Sequence, residues 1–244
     1  GFGGGDVPNR AGELVPNPLF HRDGVDRDPS LFSFAVVAGV PWQDLATSAS
    51  ITGENLEYLS ADALLSGNRW PAILGNPKTA VPPSDPFMRE STTDREGDNP
   101  FIDVSIVPSS STDPQANPIN GHEQVTGQRD LQYACTFELP ETIDCADLQQ
   151  DAQAPGCDCY PEDLANNRSL CQPLTGGPAD TTQYYGAAYP ALRPLAVAKE
   201  LGRRTVLGSV CARNTQDDSR SDYGYRPLFG ALGKRIASTL VKPE

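Results

Sequence analysis

Apolar and polar positions are unevenly distributed along the 244 residues. LFSFAVVAGVPW (31–42) is a continuous apolar run rich in β-branched and aromatic residues. It predicts a strand buried on both faces, ending at Gly39 and Pro41. Ser60 stands where a side-chain cap would open a short helix over Ala61 to Leu65, and WPAIL (70–74) is a further small apolar segment. From Asn76 to about Asp130 periodicity is lost among Pro, Ser, Thr, Asp and Gly, and a stretch of this length reads as an insertion laid across the surface. LQYACTFEL (131–139) alternates as a strand does. YPALRPLAVAKELG (189–202) predicts a helix with Pro194 early enough for a first turn and Gly202 as its stop. TVLGSVC (205–211) reads as a short buried strand. RPLFGALGKRIASTLV (226–241) places Leu228, Leu232, Ile236 and Leu240 four apart with Lys234 and Arg235 off the stripe, an amphipathic helix begun by Pro227.

Strand, long insertion, helix, strand, helix is the order of an α/β domain with a parallel sheet. The expected organisation is an extended leader over residues 1–30 and a single α/β domain over 31–244, with the insertion at about 76–183. No internal repeat is present. GFGGGD at the start reads as a flexible leader: a Gly-rich phosphate loop opens a helix, and here Val7 and Pro8 follow with no helical pattern. With no initiator Met and no signal peptide, a mature, trimmed or excised chain is expected.

Composition narrows the function classes. Hydrophobic residues make up 38%, and 22 Gly with 23 Pro point to a scaffold carrying long irregular loops. A net charge of −13 disfavours nucleic acid and anionic lipid as partners, since both call for an excess of Lys and Arg. No apolar run approaches the ~20 residues that cross a bilayer.

The six cysteines are Cys135, Cys145, Cys157, Cys159, Cys171 and Cys211, five of them in an acidic Asp-, Gln-, Asn- and Pro-rich segment. The close pair has C-x-C spacing, and neither His21 nor His122 lies in the cluster, unlike a zinc knuckle. The C-x-x-C of a thioredoxin-type site is absent too. An even count predicts three disulfides and an oxidising compartment. Connectivity stays open, with Cys157 and Cys159 expected to reach different partners because they are too close to pair without strain.

Other candidate chemistry is sparse. Asp23, Asp26 and Asp28 in HRDGVDRDPS suggest calcium by their spacing, but the central Gly and distal Glu of a calcium loop are missing, so a solvated turn is expected. No G-x-S-x-G elbow occurs, and Thr126 stands where H-E-x-x-H would need its second His after His122. A His in the Gly/Asn loop of NGHEQ is expected at the surface. The 32 acidic residues offer too many carboxylate pairs to rank one for glycoside chemistry. Asn167-Arg168-Ser169 fits the glycosylation triplet. Tyr184, Tyr185, Tyr189, Tyr223 and Tyr225 either pack the helix starts or belong to an interface.

FAVVAGVPWQDLA (34–46), SDPFMRES (84–91), PINGHE (118–123), DLQYACTFELP (130–140), CDC (157–159), YPALRPLAV (189–197) and VLGSVCARN followed by DYGYRPLFGALGKRI, taken in this order, resemble a family of secreted or lipoprotein-like bacterial proteins built on the von Willebrand factor A domain. The resemblance implies an αβα sandwich of which this chain supplies the C-terminal portion, with the Pro- and Cys-rich middle as a family insertion. The metal site of such domains begins Asp-x-Ser-x-Ser. The nearest word here, DVSIV (103–107), has Val107 for the second Ser and lies inside the insertion, so no metal ligand is assigned. No catalytic or cofactor-binding residue is assigned either.

The function expected from this reading is a non-catalytic binding, adhesion or assembly module outside the cytoplasm, whether secreted, periplasmic or at the cell surface. It would have a protein or cell-surface ligand, and a partner chain or upstream segment completing the sheet. If the grip on that ligand is metal-dependent, Ca²⁺ or Mg²⁺ would be held by residues outside this chain. The alternative is a secreted hydrolase using a carboxylate pair or His122.

Overall fold

The computed structural model describes residues 5–146 and 156–240. The first four residues of GFGGGD, residues 147–155 and residues 241–244, among them the Val241 to which the closing helix was expected to run, lie outside them.

Apolar β-branched runs become the central sheet. β5 (Phe34–Ala38) and β8 (Thr205–Ser209) pair in parallel, with Phe34 opposite Thr205 and Ala38 opposite Ser209. Their pleat points Val36 and Leu207 into the main core and turns Ala35, Val37, Val206 and Gly208 to the other face. On the core face lies α4 (Leu192–Leu201), which contributes Leu195 and Ala198 and stops at Gly202, whose φ of 57° suits glycine. On the other face α5 (Arg226–Leu240) sets Leu228 directly over Gly208, where any Cβ would stand only 3.0 Å from the leucine. The local order is therefore helix, two-stranded parallel sheet, helix. β8 is buried throughout, but β5 alternates and Val37 stays 40% exposed. The expected burial of β5 on both faces fails because α5 covers the outer face over β8 alone.

The remainder of the main core comes from short helices after β5. α1 (Trp42–Leu45) supplies Leu45, α2 (Ala61–Ser66) Leu64, and α3 (Arg69–Ile73) Trp70 and Ile73. Ser60 caps α2 as its position predicts, its hydroxyl accepting from the Ala63 amide at 3.2 Å.

The stretch 76–130 is not laid across the surface. It sends Phe87, Met88 and Ile119 into the main core, and among the described residues it forms 3₁₀ turns and isolated bridges instead of paired strands. The strand expected from Leu131 starts later: Gln132 uses its side-chain amide to bond both the N–H and C=O of Gln124 at 2.8 Å, tying this stretch to a loop. β6 (Cys135–Asp144) then pairs antiparallel with β7 (Thr182–Ala188). Their register shifts between Glu138 and Ile143, where Pro140 supplies no ladder donor. The leader is not simply extended: β1 (Val7–Pro8) and β2 (Leu14–Val15) form one short hairpin, β3 (His21–Arg22) and β4 (Val25–Asp26) another.

All six cysteines pair, as Cys135–Cys211, Cys145–Cys157 and Cys159–Cys171. The last two sit with Tyr133, Tyr160, Leu170 and Tyr185 in a small second core. Cys135–Cys211 instead lies in the main core and binds the start of β6 to the end of β8. Disulfide stapling therefore reaches the main core as well as the Cys-rich segment.

Candidate functional site

Open α/β sheets usually place ligand sites beyond the carboxyl ends of their strands. Here the turn after β5 carries Asp44 into a sealed polar cluster. Asp44 and Asp85 are both fully buried. Asn99 donates to Asp44 Oδ1 at 2.7 Å, and Asp85 Oδ1 accepts the Phe87 amide at 3.1 Å, capping a 3₁₀ turn. The remaining oxygen of each, Oδ2, has no donor. Two ionised carboxylates cannot satisfy one another, whereas one proton shared between them satisfies both. Burial, then the charge of Asp85, pushes Asp44 well above the usual carboxylate range; burial also raises Asp85, which hydrogen bonding from Asp44 opposes. Arg69 stacks on Phe101, 3.7 Å from the ring centroid, and donates to the Ala46 carbonyl at 3.4 Å.

Next to this pair runs a second buried network. Arg95 grips Glu123 in a fork, Nε to Oε2 at 2.9 Å and Nη2 to Oε1 at 2.7 Å, and spends its other donors on the Phe87 and Tyr133 carbonyls. Asn120 donates to the same carboxylate at 2.9 Å. His122, expected at the surface, is fully buried. Its Nδ1 faces the Glu123 carbonyl at 2.6 Å and its Nε2 the Gln172 Oε1 at 2.8 Å. Asn167 fixes that glutamine: its Nδ2 donates to the Ser109 and Ser111 carbonyls, so its Oδ1 accepts from Gln172. Both nitrogens of His122 thus face acceptors, and neither is open to a substrate. The amide of the Asn167 triplet is likewise committed inside the protein.

Asp44 and Asp85 form one carboxylate pair that is closed off from solvent, and through Asn99 the pair joins the turn after β5 to the 84–99 stretch. The local signal was slight: in WQDL and SDPFM each Asp follows a polar residue and precedes an apolar one. In the leader, Asp26 bonds His21 at 2.6 Å and Asp23 pairs with Arg22 at 3.4 Å. Ser105 of DVSIV donates to Asp98 at 2.6 Å. Among the described residues no group of three or more His, Cys, Asp and Glu side chains is arranged to hold a metal ion.

Two of the features open to solvent bear on function. One is a groove of about 840 Å³ at the amino-terminal edge of the sheet, between α2, the turn after α4 and one side of α5. The other is the outer apolar surface: Val37 on β5, with Phe229 (67% exposed), Ile236 (44%) and Leu240 (71%) on α5, whose buried residues are Pro227 and Leu228 alone among those described. Of the tyrosines considered for an interface, Tyr185 is buried, whereas Tyr189 and Tyr225 are exposed. No described helix is long and apolar enough to cross a membrane. Compared with the models of known families, with curated proteins and with solved structures, the chain matches none.

Proposed function

We propose that this chain is a non-catalytic binding and assembly module of an extracytoplasmic protein, and that its docking surface is the outer side of β5 and α5. The observation that carries this reading is the incomplete burial there. A helix of 15 residues is marginal by itself in water and draws its stability from packing its apolar stripe. Leu228 at its start is packed, while Ile236 and Leu240 further along the same stripe are not. β5 pairs with β8 alone among the described residues, so its far edge offers unpaired amides and carbonyls.

The occupant that meets both needs is a further α/β unit adding a parallel strand to β5 and a helix beside α5. A parallel strand suits the direction of the existing pair, and a helix suits the apolar stripe. The resemblance to von Willebrand factor A domains belongs with this reading, since the order α4, sheet, α5 is what the C-terminal part of such a sandwich would have. Three disulfides place the module in an oxidising setting; secretion, a periplasmic site and a cell-surface site all fit.

Sedimentation velocity of the purified chain, beside a Phe229→Glu/Ile236→Glu variant, tests the reading. Concentration-dependent self-association that the variant abolishes is expected, because a bare apolar face and strand edge seek a substitute partner. A monomer at every concentration whose β5 amides resist hydrogen exchange would sink it.

A further inference from the structure

The second open feature is the groove at the amino-terminal end of β8, and we infer that it binds a small organic oxyanion, a phosphate, sulfate or carboxylate head on an apolar body. Its walls gather Arg203 and Arg204 from the turn after α4, and Lys234 and Arg235 from α5. The chain has 19 Lys and Arg against 32 acidic residues, yet here four cations meet two carboxylates, Asp62 in the lining and Glu57 on Lys234. That reversal of the overall charge focuses a positive potential into one concavity. The floor, Leu59, Leu201, Val206 and Ala231, is apolar. A volume of about 840 Å³ lies within the range of small-molecule sites.

Two details point to a ligand and not merely to a solvated face. Arg235 donates through Nη2 to the Ser30 carbonyl at 3.1 Å, which fixes its guanidinium at the groove wall, and its Nε is buried there without a partner. Two of the neighbouring cations, Arg203 and Lys234, sit in pairs between solvent-exposed side chains, Arg203 with Asp62 at 2.8 Å and Lys234 with Glu57 at 2.9 Å. Such pairs are screened and contribute little, so an incoming oxyanion displaces them at small cost while gaining charge-assisted bonds. The Ser60 hydroxyl, whose oxygen caps α2, keeps its proton as a neutral donor on one wall.

This site is independent of the assembly reading. Ala231, Lys234, Arg235 and Ser238 recur at helical spacing and form the groove side of α5, while Phe229 and Ile236 lie on other sides of the helix. A partner on the apolar surface leaves the groove open.

The test is thermal unfolding and isothermal titration of the whole chain with hexyl phosphate and with inorganic phosphate, at ionic strength held constant with sodium chloride. Hexyl phosphate is expected to bind saturably and to raise the unfolding temperature, and inorganic phosphate to do so more weakly, lacking the body that covers the apolar floor. A Lys234→Gln/Arg235→Gln variant, with its fold checked by circular dichroism, is expected to weaken binding by about tenfold or more. Should that variant fail to fold, Arg203→Gln on the exposed rim takes its place with a smaller loss. The exposed leader variant Arg22→Gln is expected to bind unchanged. Non-saturating shifts, shifts matched by sodium chloride, or equal binding by the groove variants would overturn the inference.

Discussion

Asp44→Asn is the sharpest probe of the buried acid pair. Burial raises both Asp44 and Asp85, and each leaves Oδ2 without another donor, so the expected native form is one proton shared between them. The unfolded chain loses both protons around an ordinary carboxylate pKa of about 3.9. Above that pH the native state therefore binds more protons than the unfolded state, so stability must fall as pH rises. One retained proton gives a slope of about 1.4 kcal/mol per pH unit, continuing until pH passes the raised native value. An asparagine at position 44 supplies a permanent N–H where the shared proton sits and keeps an oxygen for Asn99. The stability of the wild type minus that of the variant is then expected to fall with that slope from about pH 4 upward. Urea unfolding at half-unit pH steps, disulfides intact, measures it, and contributions of the other acidic groups cancel in the difference. The opposing account is an ionised Asp44 paired with Arg69. In that case the variant would strand a buried guanidinium and lose about 3–5 kcal/mol at neutral pH, with the difference rising through the acid range. A flat or rising difference refutes the shared proton.

Four further outcomes follow from the packing and the disulfides. Glu123→Ala strands Arg95 in the interior, and a loss of about 3–5 kcal/mol by urea unfolding is expected, with Glu123→Gln recovering part of it. Removing Cys135–Cys211, which closes 76 residues, is expected to cost about 4 kcal/mol on chain-entropy grounds, against about 3 for either bond that spans 12. Intact mass after alkylation without reductant is expected to show no added label. Gly39→Ala would drive its Cβ to 1.9 Å from the Tyr189 carbonyl oxygen, so a loss of about 1–3 kcal/mol is expected in the same assay.

Much of the element order was legible locally. Ser60 announced α2, Pro227 opened α5, Gly202 closed α4, and the two apolar runs became the paired strands. These signals act over a few residues, through capping, backbone restriction and side-chain period. The candidate sites were not legible in that way. Asp44 and Asp85 stand 41 positions apart, and His122 meets Gln172 across 50, so no window of sequence contains either pair. The 76–130 stretch misled because its apolar anchors, Phe87, Met88 and Ile119, have no period. They are buried singly, and the polar residues between them are satisfied by one another.

Sequence alone thus determined the parallel strand pair and the helices α2, α4 and α5, that the cysteines come in an even number suited to pairing, and that the chain is acidic. Tertiary structure alone decided which cysteine meets which, that the Gly/Asn loop around His122 turns inward, and that four cations of an acidic chain line one groove. It also decided that β5 and α5 keep an apolar side uncovered. Local preferences depend on neighbours along the chain. Burial, charge focusing and proton sharing depend on neighbours in space, and those exist only once the chain has folded.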